Sequence, residues 1–303
     1  MIVRERPNAF TLLITLRGSI VPEILPHIAL VALFTVLLTL ASRYQVIDIS
    51  SLTVMPITLL GIVLSILLSF RNNAAYDRWW EARKLWGQMV NEIRSFARAS
   101  SALLGEQATG RRQMLHLLLG YAHALRGQLR QEDVRADLQA WFDEAAIEQA
   151  LSQGNGPDGF LRKLGNALGD LYRQGDLDSM ALKMLEERLA ALSAIQAGCE
   201  RLASTPIPFA YTLLVHRTAY GYCYLLPFAL VGAIGWAAPV CVAAVAYTFF
   251  GVDRLAEHLE TPFGRAPNDL PLDALCRIHE ISVAESLGET PPPPIAVKDH
   301  LLQ

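Results

Sequence analysis

Two regions of the chain are apolar almost without interruption. From Pro26 to Phe70 the only charged side chains are Arg43 and Asp48, and from Pro206 to Val252 the only one is Arg217, with His216 beside it. A membrane crossing needs about 20 predominantly apolar residues. The first such stretch runs from His27 to Ala41 and extends toward Arg43-Tyr44. The second is the continuous apolar run Leu52 to Phe70, with Pro56 in its first turns, where a missing N–H costs least. The later region contains Pro227, which is expected to divide it into two spans of about 20 and 25 residues. Gly221, Gly232 and Gly235 add the marks of broken or closely packed helices. His216 and Arg217 fall in the middle of the first piece, and charge at that depth is expected to face protein or water.

Between these regions the pattern changes to helical periodicity. Leu115, Leu118, Leu119, Ala122 and Leu125 recur three and four apart, as do Leu182, Leu185, Leu189 and Leu192. Gly105, Gly110 and Gly175 punctuate the region, and Gly154 to Gly159 reads as a loop. Four or five long helices are expected there. Before the first span, Phe10 to Leu16 is a short apolar run without a signal-peptide pattern, so the start reads as a surface-lying segment. After the last span, a short helix is expected from Ala274 to Leu287, then an extended end from Pro291. The pattern divides the chain into residues 1–25 (interfacial), 26–70 (two spans, the second 52–70), 71–205 (helical body), 206–252 (two spans) and 253–303 (tail).

Composition agrees. The 303 residues are 52% hydrophobic and 18% charged, against about 25% charged in soluble domains. A net charge of −3, with acids and bases mixed, gives no nucleic-acid footprint. The basic residues orient the chain. Arg71, Arg78, Arg83, Lys84, Arg94, Arg98, Arg111 and Arg112 follow the second span, so that end is expected to be cytoplasmic. The Arg43 loop is then outside. The N-terminus, with Arg4, Arg6 and Arg17, is inside, as is the C-terminus.

Chemical motifs are sparse. The four cysteines form no CxxC pair. Gly154-Asn155-Gly156-Pro157-Asp158-Gly159 matches a dinucleotide fingerprint literally, but no strand precedes it and Pro157 interrupts it. His116 and His123 share a helix face without a third ligand. There is no nucleophile elbow and no P-loop. No enzyme, metal or cofactor is expected.

The second span carries a different kind of feature. Ile62, Ile66 and Phe70 recur at four-residue spacing, beside the small residues Thr58, Gly61, Ser65 and Ser69. Small residues at that spacing let helices approach closely. If copies pack through that seam, the large row turns inward as a hydrophobic constriction that gates by dewetting. The residues alone leave open that the row faces lipid or a neighbouring helix.

The run Arg71-Asn72-Asn73-Ala74-Ala75-Tyr76-Asp77-Arg78-Trp79-Trp80-Glu81-Ala82-Arg83 resembles the signature that follows the second span in bestrophins, especially bacterial ones. Cys199-Glu200-Arg201 with Thr205-Pro206-Ile207-Pro208-Phe209-Ala210-Tyr211 resembles the family's approach to its third span. Pro262-Phe263-Gly264 with Asn268-Asp269-Leu270-Pro271-Leu272-Asp273 resembles its post-membrane segment. The resemblance implies an all-α integral membrane protein. Four transmembrane helices per subunit would join a helical cytosolic domain in a homopentamer around a central pore, in the bacterial inner membrane. It implies a neck at Ile62, Ile66 and Phe70 and a cytosolic aperture, for which Met180 is the candidate.

Animal members clasp calcium with acids after Pro-Phe-Gly. Here Arg265, Ala266 and Pro267 take the first of those places, and Asn268, Asp269 and Asp273 are expected instead to cap the next helix. Asp176, Asp178, Glu186 and Glu187, repeated fivefold near the aperture, favour cations. The expected function is passive Na+/K+ permeation. The alternatives are a chloride channel of the same fold and a non-conducting scaffold or sensor.

Overall fold

The structure is a computed structural model describing residues 1–3, 8–16, 18–47, 54–106, 110–152 and 154–303. Leu52 and Arg17, invoked above, lie outside the described residues, as do Arg4, Arg6 and Asp48. The described chain is helical: α1 (Ala9–Ile14), α2 (Val21–Arg43), α3 (Val54–Leu104), α4 (Arg111–Arg130), α5 (Arg135–Leu138), α6 (Glu144–Leu151), α7 (Gly156–Gln174), α8 (Ser179–Ser204), α9 (Phe209–Ile234), α10 (Ala238–Glu260) and α11 (Leu272–Ser286). It divides into two compact units. One holds residues 4–79 and 206–261, and the other holds residues 1–3, 80–205 and 262–303.

The first unit is the apolar one. Among the described residues, Val21–Arg43, Val54–Leu104 and Phe209–Glu260 each contain a helical stretch long and apolar enough to cross a membrane. Its core draws on four helices: Ile24 and Val31 from α2, Leu64 and Leu68 from α3, Val215, Tyr222 and Leu226 from α9, and Val242 and Phe250 from α10. Buried hydroxyls are satisfied within their own helix. Thr35 donates to the Val31 carbonyl and Thr39 to that of Thr35, both at 2.7 Å. Pro227 does not divide the last region; it lies buried inside α9. Packing against neighbouring helices lets a membrane helix absorb one proline. The division comes at Gly235, whose φ of 55° and ψ of −125° no other residue adopts cheaply. A 3₁₀ turn, Gly235–Ala237, then leads into α10.

The second unit is built around α4. Leu115, Leu118, Leu119, Ala122 and Leu125 are all buried, and α4 packs against α7, α8 and α11. Of the expected long helices, α4, α7 and α8 appear, with the short α5 and α6 between α4 and α7. The stretch read as a loop is mostly helix, since α7 opens at Gly156. Asn155 caps it, its side chain accepting from Asp158 N at 3.3 Å, and the proline sits in the first turn, where it is preorganised. His116 and His123 both lie against the Trp141 ring, at 6.5 and 5.3 Å between centroids.

Gly159 is required by close approach. A Cβ there would lie 2.7 Å from the Ala150 carbonyl oxygen, whereas nothing lies within 4 Å at Gly154. Gly159→Ala is expected to cost roughly 1–3 kcal/mol by overpacking, and Gly154→Ala to stay within about 0.5 kcal/mol of the parent. Thermal melting of the purified protein reads both; equal melting temperatures for the two variants would contradict the packing.

Candidate functional site

Along the apolar half of α3, one face is covered and one is not. Gly61, Leu64 and Leu68 are buried, and Gly61 sits so close beneath Tyr222 that a Cβ would meet its hydroxyl at 2.6 Å. On the other face, Ile62, Ile66 and Phe70 are 54%, 51% and 62% exposed, continuing a row from Met55 and Leu59. The expected small-residue seam is only partly used within the chain. Gly61 packs against α9, but Thr58, Ser65 and Ser69 are exposed beside the large row. Thr58 and Ser65 turn their hydroxyls back to the carbonyls of Val54 and Gly61.

The motif after this row is a set of braces. Arg71 is 2% exposed. Its Nη1 donates to Asp253 Oδ1 on α10 and, at 3.5 Å, to the Asp253 carbonyl. Asp253 Oδ2 lies 2.8 Å from His216 Nδ1 on α9. One carboxylate therefore ties three helices. Arg78 Nε donates to the Glu260 carbonyl at 3.3 Å, at the end of α10. Ala75 is buried, Asn72 and Trp79 are half-buried, and Asn73 and Tyr76 are exposed. Within the second unit, Trp80 is exposed, Glu81 pairs with Arg201 of α8 at 2.5 Å, and Arg83 is half-buried beside Gly87. Of the two charges in α9 expected to face protein or water, His216 pairs with Asp253 while Arg217 is exposed. Asp253 has no motif around it to single it out.

The remaining segments lie in the second unit. Met180 is 71% exposed at the start of α8. Asp178 caps that helix, its Oδ1 accepting from Met180 N at 2.8 Å and Ala181 N at 2.7 Å. Cys199 is buried, which pushes its thiol up to about 12. Glu200 Oε1 gathers amide donors from Gln128, Asn155 and Gln196, at 3.0, 3.1 and 2.8 Å. The post-membrane acids do not cap α11: the residue before that helix is Pro271, with no side-chain cap. Asp269 Oδ2 instead accepts from Ala266 N at 2.7 Å. Asp273 faces Arg130, Arg265 and Arg126 at 2.8, 3.0 and 3.2 Å. Burial opposes its ionisation, but those three guanidinium groups outweigh burial and hold the carboxyl below the usual range. Among the described residues, no group of three or more His, Cys, Asp or Glu side chains is arranged to hold a metal ion.

A family profile described as bacterial/fungal bestrophin protein matches residues 1–285. The chain belongs to the bestrophin family. Relatives of this bestrophin include the voltage-dependent anion channel-forming protein mll4386 of Mesorhizobium japonicum, 51% identical over 96% of this chain and 94% of the relative. RSc3414 of Ralstonia nicotianae, of the same description, is 39% identical over 95% of each chain. YneE of Escherichia coli K12, again described as a voltage-dependent anion channel-forming protein, is 37% identical over 100% of this chain and 99% of the relative. A crystal structure of a bacterial bestrophin homolog from Klebsiella pneumoniae superposes with a TM-score of 0.83 at 37% identity, covering 90% of this chain and 100% of that one.

These relatives overturn the expectation of Na+/K+ permeation, since they are named for anions. Two of the four acids that supported that expectation are engaged locally. Asp178 caps α8 at the positive end of its dipole, and Glu187 lies 4.0 Å from Lys183, so each is partly offset and counting carboxylates overstates the field they project.

One measurement tests the Arg71–Asp253 brace, and another tests the buried histidine of α11. Asp253→Ala leaves Arg71 buried without its carboxylate and is expected to cost roughly 3–5 kcal/mol, whereas the double change Arg71→Met/Asp253→Leu should recover most of that loss. Additive losses in thermal melting would contradict a tight pair. The second concerns His279 of α11, fully buried with neither ring nitrogen hydrogen-bonded. Burial, with His123 and Arg94 adding to it, lowers its pKa from 6.5 to about 3. The unfolded chain binds the proton first, so this contribution to stability is complete above 6.5 and is lost as pH falls toward 3. His279→Phe should flatten the fall of melting temperature across that window; an unchanged slope would contradict the assignment.

Proposed function

We propose that this bestrophin forms an anion channel. The observation that carries the reading is that relatives matched over nearly their full length, at up to 51% identity, are described as voltage-dependent anion channel-forming proteins. The geometry supports a pore on the exposed face of α3. Five copies would surround an axis, each contributing Ile62, Ile66 and Phe70 to an apolar neck and Met180 to a second narrowing at the cytosolic side. α2, the apolar part of α3, α9 and α10 would make four crossings per subunit in the bacterial inner membrane, with both termini in the cytosol.

An apolar neck holds no fixed charge, so it acts on ions through the cost of shedding water and closes by dewetting. Aromatic edges carry partial positive charge, so Phe70 rings turned edge-on to the axis would assist anions. Weakly hydrated anions lose least, and iodide should pass more readily than chloride.

Liposome-reconstituted protein in asymmetric NaCl should reverse near the chloride equilibrium potential, and Ile66→Ala should enlarge the current without moving that potential. Reversal near the sodium potential would overturn the reading, as would unchanged current in a correctly assembled Ile66→Ala channel.

A further inference from the structure

The exposed row of α3 that holds Ile62, Ile66 and Phe70 does not stop there. Asn73 and Asp77 follow at the same spacing, and both are exposed. The helix is unbroken from Val54 to Leu104. Asp77 comes seven residues after Phe70, and a heptad returns to the same face of an α-helix within about 20°. Asp77 therefore shares the face of Phe70 and stands about 10 Å beyond it along the axis. It is the first formal charge that this face meets after Phe70.

The charged neighbours of Asp77 have partners, and it has none. Arg71 is buried against Asp253, and Arg78 donates to the Glu260 carbonyl at 3.3 Å. Both cations are turned toward α10, roughly a third of a turn round α3 from Asp77. Among the described residues, Asp77 has neither a hydrogen bond nor an ion pair. A carboxylate without a counter-charge projects its field into the space its face borders, and a confined path focuses that field.

We propose, on the reading that five copies of α3 surround an axis, that Asp77 forms a ring of carboxylates at the cytosolic mouth of the neck. This ring holds anions off at low ionic strength and admits them as salt rises. The apolar row sets the width of the path, and Asp77 sets the anion concentration that the neck samples. The reach of the field makes the effect salt-dependent. Screening lengths are about 30 Å at 0.01 M and about 3 Å at 1 M, and the ring lies about 10 Å from Phe70, between those limits. In dilute salt the neck stands inside the field, and in concentrated salt it stands outside. Chloride conductance therefore rises more steeply than in proportion to salt, and the channel passes anions chiefly when cytosolic ionic strength is high.

Single-channel recording of the parent, Asp77→Asn and Asp77→Lys in planar bilayers tests the ring. In symmetric NaCl at about 0.01 M, Asp77→Asn should raise chloride conductance roughly threefold and Asp77→Lys should raise it further, and at about 1 M all three should agree. Asparagine matches aspartate in shape, and the side chain has no contact within its own chain to lose, so Asp77→Asn is expected to assemble and decides alone if Asp77→Lys does not. A purely structural role would neither order the three by charge nor vanish with salt. Equal conductances at low salt, or a difference undiminished at 1 M, would overturn the ring. Failure of the anion reading is separable. A parent reversing at the sodium potential, with Asp77→Asn lowering the low-salt current, would sink that reading and the chloride throttle while keeping Asp77 on the path. Reversal at the chloride potential with equal conductances would sink the ring alone.

Discussion

A guanidinium almost sealed from water holds the apolar unit in register. Arg71 on α3 meets Asp253 on α10, and the same carboxylate reaches His216 on α9. Desolvating two charges costs several kcal/mol each, so such a pair adds little net stability over an apolar contact. Its consequence is positional. Sliding α3 by one turn displaces every side chain by about 5.4 Å and would leave both charges buried and apart. The pair thus fixes the depth of the residue before it, Phe70, and through the helix that of Ile66 and Ile62. Arg78 adds a second tie two helical turns further on, at the end of α10.

What the sequence revealed, and what it hid, depended on how local each signal is. The apolar runs are local, and α2 and the first half of α3 lie where those runs predict. Pro227 misled because a proline's local cost is absorbed by helix neighbours that no pattern displays; the backbone of Gly235 made the break instead. At Gly154 to Gly159 the capping signals, Asn155 and Pro157, stand among three glycines, whose local reading is a loop. The Asp253 tie was hidden because its partners lie far apart in sequence. A faint signal did exist: Arg71 and Asp253 are the first charged residues after two apolar runs, and opposite charges leaving the hydrocarbon together are candidates to pair. Asp273 gave no such hint. Its arginines come from α4 and the post-membrane segment, and local composition suggested a cap.

Exposure alone does not distinguish a pore-lining row from a lipid-facing one. Leu25, Leu30, Leu33 and Leu37 of α2 are as exposed as Ile62 and Ile66. The two rows do differ beyond their ends. The α2 row ends near Arg43, whereas the α3 row continues within the same unit into exposed Asn73, Tyr76 and Asp77. A face that passes from apolar to polar without leaving its helix suits a path that passes from a dry constriction into water.

Such a constriction separates two properties that charged filters combine. A ring of carboxylates or guanidiniums both narrows a path and chooses the sign of the ion. A neck of isoleucine and phenylalanine, as proposed for the α3 row, would narrow it while leaving the choice to weaker forces: the ease with which an ion sheds water, ring quadrupoles, and fields from charged groups elsewhere. Those fields cannot be counted from sequence, because a carboxylate that caps a helix or faces a lysine is partly offset by the helix dipole or the ammonium. Asp178 and Glu187 are of that kind. Acidic residues near a candidate aperture therefore do not make it a cation filter, and an anion path is compatible with a chain whose net charge is −3.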